Sequence, residues 1–515
     1  MATPSLAMIP SAYADSKVYS VLPNNGDGDF TFNRDSSATR VGQNGLIQTV
    51  GYFGNELVVN GDFATDTDWN KNANWTISGG KANADGTSSA DINQNTNLPT
   101  IGKTYLVTYT ISNYTSGTFK VQFGGVLLGA KNAVGTYEET LTAVSTDRLR
   151  IKGTTPLGSI SYISVKEVTG DQPRLNYDIS NGVVQSCPSL LLEPASTNFL
   201  PESNNYSDSV WSKQANGTAS VPVVTSNYSI SPDGTKNADR VVFNLNGGTT
   251  SSDFSQLAES VTTSVGDVSN SVYIKSNTSA NYVMSFIKPD GSAASITVTQ
   301  EWQRFSSTFT LTGTTSVFKL RLRGSESTAD YADVSIYGAQ IEEQPYATSL
   351  IPTYGSSQTR AAETCNDAGN AATFNSTEGV LYAEISALAN DGTFRQLTLS
   401  DSSTSDRVSI DFTSTDNQIR SFSSSGGSTA ANMTGSVSNA TQFNKVAVKY
   451  KLNDYALWIN GVEVATDTSG AAPIGLSELA FDNGGGSNDF YGKVKDIRVY
   501  NEALTDAQLQ TLTTL

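Results

Sequence analysis

Apolar and polar residues alternate along much of this chain, the period of half-buried β-strands. The clearest runs are Phe443 to Tyr450 (FNKVAVKY), Tyr455 to Val464 (YALWINGVEV) and Phe490 to Thr505 (FYGKVKDIRVYNEALT). Asn460-Gly461 interrupts the second run. That pair favours a two-residue hairpin, because both central positions of the turn need positive φ. Similar alternation returns at Tyr105 to Ile111, Ile160 to Val168, Asn270 to Lys275 and Asp333 to Glu342. The pattern predicts an all-β chain. No window of about 18 consecutive apolar residues occurs, so no membrane span is expected.

A chain of 515 residues exceeds one hydrophobic core, and three or four domains are expected. Two stretches share an order of features. Residues 56–168 open with Asn60-Gly61-Asp62-Phe63, Asp68-Trp69 and Asn74-Trp75, and close on a strand ending Lys166-Glu167. Residues 198–343 open with Asn198-Phe199-Leu200 and Ser209-Val210-Trp211, and close on Gln340-Ile341-Glu342. In each, a tryptophan near the start precedes many β-runs and a closing strand that ends in an acidic residue.

Three resemblances follow from these residues. The C-terminal order of strand, Trp458-Ile459-Asn460-Gly461 hairpin and Gly492…Arg498-Val499-Tyr500…Ala503-Leu504-Thr505 resembles a concanavalin A-like (laminin G-type) jelly roll over residues 366–515. The two tryptophan-led stretches resemble carbohydrate-binding-module or galactose-binding β-sandwiches. The segments between them hold Arg34-Asp35-Ser36-Ser37-Ala38-Thr39-Arg40, Pro173-Arg174-Leu175-Asn176-Tyr177, Leu190-Leu191-Leu192-Glu193-Pro194 and Thr359-Arg360-Ala361-Ala362-Glu363. This set is similar to blocks in tailed-phage virion proteins of the fibre, tail and head-decoration type.

The resulting division has six parts. Residues 1–55 are an N-terminal docking and connecting segment, and 56–168 a β-sandwich inserted between two halves of a connecting module. Residues 169–197 are a connector, 198–345 a second sandwich, 346–365 a connector and 366–515 the jelly roll. The fold class expected is all-β: multidomain β-sandwiches with a C-terminal concanavalin A-like jelly roll.

Composition narrows the chemistry. Lys plus Arg is 32 and Asp plus Glu 49, so the formal charge is −17. Such a surface opposes binding to phosphate backbones, and no nucleic-acid partner is expected. There is no histidine. Ser-His-Asp triads, Cys-His pairs and histidine metal sites are thereby excluded within this chain. Cys187 and Cys365 are far apart in sequence and are expected to be free, buried thiols. Residues 1–15 lack the basic start of an ordinary signal peptide.

The candidate site residues are few. Sugars bind aromatic faces through their C–H groups, so Trp69, Trp75 and Trp211 are candidate glycan contacts. Trp302 and Trp458 lie in strand patterns and are expected in cores. The loop Asp482-Asn483-Gly484-Gly485-Gly486-Ser487-Asn488-Asp489 offers oxygen ligands, which makes Asp482 and Asp489 candidates for calcium. The E-x-D-x-x-E strand motif of jelly-roll glycoside hydrolases is absent, and Glu384 reads as a solvated strand residue. No enzymatic activity is expected.

The resemblances imply a virion appendage protein that is made in the host cytoplasm. Its N-terminal segment would meet other virion proteins, and its domains a host surface glycan or receptor. Weak sites would be summed over several copies in a homo-oligomer. A decoration protein that contacts only virion partners is the main alternative. A secreted bacterial polysaccharide-binding adhesin is a third.

Overall fold

The computed structural model describes residues 2–180, 182–288, 290–327 and 329–515. The chain forms two compact units. The first holds Met1–Val50, Gly170–Ala195 and Ala361–Leu515; the second holds Gly51–Thr169 and Ser196–Arg360. Strands dominate both, and one helix, Asp506–Thr513, is present among the described residues.

In the first unit, two antiparallel sheets face each other. An eight-stranded sheet runs in the order Arg174–Asn176, Ser189–Leu192, Gly492–Tyr500, Glu378–Ala387, Asn444–Lys451, Tyr455–Ile459, Val462–Asp467, with Leu6–Met8 also pairing to Gly492–Tyr500. The five-stranded sheet opposite runs Ser428–Ser436, Gln418–Ser425, Arg407–Phe412, Arg395–Ser400, Glu478–Ala480. Alternation sends Leu381, Ala383, Val446, Val448 and Leu457 of the first sheet against Leu397, Leu399, Val408 and Ile410 of the second. Asn460 and Gly461 have φ of 50° and 84°, and Ile459 pairs with Val462 across them, so the expected hairpin forms. The helix covers the outer face of the larger sheet, where Leu509 and Leu512 pack with Tyr382 and Trp458.

Much of the segments read as connectors, residues 6–50, 170–195 and 361–365, belongs to this unit. Leu6 pairs with Val499 and Met8 with Ile497, while Leu190 pairs with Val494 on the same edge of the closing strand. Leu6, Met8, Val18, Phe30, Phe32, Leu175, Leu190 and Leu192 all join the inter-sheet cluster. Residues 6–50 are therefore folded strands and turns that pack on this unit. The physical reason is the edge they cover: an unpaired closing strand would expose a row of backbone donors and acceptors. Cys365 is buried beside Phe32, but Cys187 is exposed, which corrects the expectation that both thiols are buried.

A buried ionic cluster ties these segments together. Arg174 donates from Nε to Glu363 Oε1 at 2.8 Å and from NH1 to Glu193 Oε2 at 2.7 Å, and a further bond joins its NH2 to Glu363. Arg34 NH1 reaches Glu363 Oε1 at 2.9 Å and the carbonyl of Gln172 at 3.0 Å. The side chains of Arg34, Arg174 and Glu363 are fully enclosed. All four residues come from the sequence blocks read as connectors.

The second unit holds two sandwiches. The first pairs a six-stranded sheet, centred on Thr104–Ser116 and Leu157–Gly170, with a five-stranded sheet containing Lys120–Phe123 and Leu149–Lys152. The second pairs the sheet Ser212–Asn216, Phe254–Thr262, Thr315–Arg323, Tyr282–Ile287, Ala293–Val298 with the sheet Ser220–Ser229, Ala238–Asn244, Tyr331–Glu342, Gly266–Ser276, Gln303–Leu311. The opening tryptophans lock both in the same way. Trp69 Nε1 donates to the Asn60 carbonyl at 3.1 Å and Trp211 Nε1 to the Glu202 carbonyl at 3.0 Å, each nine residues upstream. Phe63 and Tyr206 pack against them, with ring centroids 5.1 and 4.9 Å away.

Where the two sandwiches meet, carboxylates are buried. Glu139 lies 3.5 Å from Lys131 Nζ and accepts from Tyr109 Oη at 2.9 Å. Asn227 donates to Tyr137 Oη at 3.0 Å through its side chain and to Asp239 Oδ1 at 2.8 Å through its backbone. Burial pushes Glu202 up to about 7, with Lys131 opposing and Asp208, Glu139 and Asp239 adding to the rise. Burial pushes Asp239 up to about 7 as well, against the amides of Asn227 and Tyr206.

Two outcomes are expected. A chain beginning at residue 366 lacks nine residues of the inter-sheet cluster, from Leu6 to Cys365, and leaves the closing strand open. It should aggregate or bind hydrophobic dyes, whereas the complete first unit should not; a monomeric, cooperatively unfolding 366–515 fragment would refute this. The second outcome concerns pH. A carboxyl whose folded pKa is raised stabilises the fold most below its unfolded value of about 4 and loses that contribution as pH climbs through about 7. The second unit's melting temperature should therefore fall over this window, and Glu202→Gln should flatten the decline in scanning calorimetry.

Candidate functional site

The strands of the second sandwich set one residue in two on its outward face. In Tyr331–Glu342, Ala332, Val334 and Ile336 enter the core, so Tyr331, Asp333 and Ser335 face out. In Gly266–Ser276, Val272 and Ile274 enter the core, so Tyr273 and Lys275 face out beside them. Val241 and Phe243 likewise leave Arg240 outward.

Asp333 organises the centre of this face. Its carboxylate accepts from Arg240 Nε at 2.9 Å and NH2 at 2.5 Å, from Asn277 Nδ2 at 2.8 Å and from Tyr331 Oη at 3.0 Å. Asn277 Oδ1 accepts from Ser335 Oγ at 2.7 Å in turn. Burial would raise the Asp333 carboxyl, but bonds from Arg240, Asn277 and Tyr331 outweigh it and hold the group below the usual carboxylate range. With its lone pairs filled, Asp333 positions its neighbours and is poorly placed to carry protons.

Aromatic rings flank the network. Tyr228, 44% exposed, lies 5.1 Å from the Arg240 guanidinium, and Tyr331 is 37% exposed. Trp302 is half-buried, donates Nε1 to the Ile230 carbonyl at 3.2 Å, and carries the Lys275 ammonium 5.2 Å from its ring. Lys275 has no carboxylate partner among the described residues. The face thus combines open rings, a fixed guanidinium and a free ammonium, the groups that grip a polyhydroxylated ligand with apolar C–H faces.

The sequence singled out other residues. Trp69, Trp75 and Trp211 are 6%, 3% and 2% exposed and sit in the two sandwich cores. Trp75 Nε1 bonds the Ala90 carbonyl at 3.0 Å. Their rings are covered on both sides, so none offers a face to a sugar, and the expectation of glycan contact is corrected for all three. Trp302, expected in a core, is the tryptophan that faces out. Trp458 is buried, though under the helix and not between the sheets.

Asp482 and Asp489 serve the loop's own shape. Asp482 accepts from the Gly484 amide at 2.6 Å and Asn366 Nδ2 at 3.0 Å, and Asp489 accepts from Tyr491 Oη at 3.0 Å. No three His, Cys, Asp or Glu side chains converge to hold a metal among the described residues. On the outer face of the five-stranded sheet, Arg420 lies between Phe394 and Phe422 at 5.1 and 5.2 Å and donates Nε to Asp411 at 2.8 Å. Burial raises the enclosed Asp411 carboxyl, and Arg420 opposes the rise. Glu384 lies on the other sheet, half-buried between Lys445 and Asp496.

Reasoning from sequence missed Lys275, Arg240, Asp333, Tyr331 and Tyr228. The signal was present in the alternation of Tyr331-Ala332-Asp333-Val334-Ser335-Ile336, whose polar set shares one face. Strand pairing across 58 to 93 positions, which alternation does not reveal, brings Asn277 and Arg240 to it.

Comparison with known proteins gives the following. Among curated proteins none matches this chain. Solved structures that match include the CBM40 of Ruminococcus gnavus IT-sialidase bound to α2,3-sialyllactose, at 16% identity, over 28% of this chain and 92% of that one, with a TM-score of 0.24. Domain 4 of an extracellular GH43 arabinanase from Geobacillus stearothermophilus, in complex with arabinotriose, matches at 15% identity over 30% and 73%, with a TM-score of 0.25. A CBM22-1 xylan-binding domain from Paenibacillus barcinonensis matches at 18% over 28% and 90%, with a TM-score of 0.19. Residues 368–510 match the family described as Laminin_G_3, concanavalin A-like lectin/glucanases superfamily. The chain is thus all-β, and its C-terminal domain is concanavalin A-like.

Proposed function

We propose that this chain is a non-catalytic glycan-binding protein, and that the outward face of its second sandwich is the binding surface. The observation that carries the reading is the pairing of partly exposed rings with cations around Asp333: Tyr228 with Arg240, and Trp302 with Lys275, which has no carboxylate partner among the described residues. The match of residues 368–510 to a lectin and glucanase superfamily supports the same class of ligand. Binding rather than hydrolysis is favoured because Asp333 and Asp411, the carboxylates central to these faces, are each engaged by arginine and poorly placed to act as an acid–base pair.

The finer reading is a phage virion appendage that attaches to host surface glycans. It is supported by the likeness of the blocks around Arg34, Arg174, Glu193 and Glu363 to those of tailed-phage virion proteins. Several copies on one particle would convert weak single sites into firm attachment.

A glycan array with the full chain tests the binding, and mass spectrometry of purified particles tests the location. Trp302→Ala and Tyr331→Ala should each weaken glycan binding about tenfold, or roughly 1.4 kcal/mol, without lowering the melting temperature. Trp211→Ala should instead cost about 3–5 kcal/mol of stability. Absence of binding to any glycan or host cell, in a folded protein that still joins particles, would replace this reading with a decoration role.

A further inference from the structure

A concave site lies in the first unit. The hairpin Ala38–Val41 and Ile47–Val50 borders a cavity of about 520 Å³, lined among others by Ser11, Tyr13, Arg40, Gln43, Gln48 and Tyr177. No lining residue is acidic.

Arg40 is the cation of this cavity. Its guanidinium makes one hydrogen bond, from NH2 to Tyr13 Oη at 3.3 Å, and lies 5.6 Å from the Tyr13 ring. It has no ion pair, and its Nε is enclosed without a partner among the described residues. The contrast with Arg34 and Arg174 is direct: those are saturated by Glu363 and Glu193.

Tyr13 adds a second donor. Its oxygen accepts from Arg40 and from Gln172 Nε2, so its own hydroxyl hydrogen is left to give. The amides of Gln43 and Gln48 stand at the same wall, and the cavity is large enough for one sugar ring. A planar guanidinium fork matches a carboxylate in two parallel bonds, with the phenol as a third donor.

We infer that this cavity binds the carboxylate of an acidic sugar, with Arg40 as the anion-recognising residue, Tyr13 as its support and second donor, and Gln43 and Gln48 on the sugar hydroxyls. The sugar part rests on the glycan-binding reading above; the anion part rests on Arg40. The ligand differs from that of the second sandwich in needing a charge.

Titration calorimetry of the full chain with glucuronate, glucose and acetate tests the assignment. Glucuronate should bind more tightly than either of the others. Arg40→Gln should weaken it at least tenfold, and Arg40→Lys by less. Gln43→Ala, at an exposed position that leaves the fold alone, should weaken glucuronate without changing the response to acetate. Glucuronate affinity unchanged in Arg40→Gln would overturn the inference. Acetate binding as tightly as glucuronate would overturn the sugar assignment. Glucuronate failing while the array retains neutral glycans lost in Trp302→Ala would sink this inference and leave the broader reading standing; loss of all glycan binding would sink both.

Discussion

The first unit depends on neutralising Arg34 and Arg174 in a place that water does not reach. Two guanidiniums are enclosed there, and Glu363 must serve both while Glu193 completes Arg174. Buried pairs of this kind add little net stability over apolar packing, but an orphaned charge is severely destabilising. The cluster therefore acts as a registration device. It is satisfied only when segments near residues 34, 174, 193 and 363 have all arrived. These segments flank the points where the chain leaves the first unit, after Val50 and Ala195, and re-enters it, at Gly170 and Ala361. Both excursions into the second unit are closed by the same four side chains.

That constraint explains what the sequence could and could not tell. The C-terminal hairpin was legible because Asn460-Gly461 encodes its turn locally, and the closing strand because its alternation is regular. The tryptophans that open the two sandwiches were legible as a repeat, and the repeat is real: Trp69 and Trp211 make the same bond nine residues back. Their role was misjudged, since sequence alone does not say which side of a strand a ring will take. The sharper limit lay in the connectors. Leu6-Ala7-Met8 reads only as part of a docking and connecting segment until Val499 is placed beside Leu6, and nothing local in either segment encodes a pairing across that distance.

The candidate surfaces divide along similar lines. Rings buried in the sandwiches serve packing, while those left open share their face with cations held by a satisfied carboxylate. Asp333 and Glu363 play parallel parts in different settings. Each uses a single acidic side chain to fix arginine geometry, one at an accessible face and one in a sealed core. Arg40, at the wall of its cavity, has no such acidic partner among the described residues.

The pairing of Leu6–Met8 with the end of Gly492–Tyr500 also sets an order of events during synthesis. The Ser5 amide bonds the Val499 carbonyl across 494 positions, so the earlier strand waits for the later one. Each sandwich, by contrast, lies within a single continuous stretch and can close as soon as that stretch is complete. Domains generally fold as units while the chain is still growing, and distant pairings form slowly. On the ribosome, the two insertions would be finished while the unit that hosts them still held an open edge. Emergence of Gly492–Tyr500, and not of any interior domain, is then the step that closes that edge.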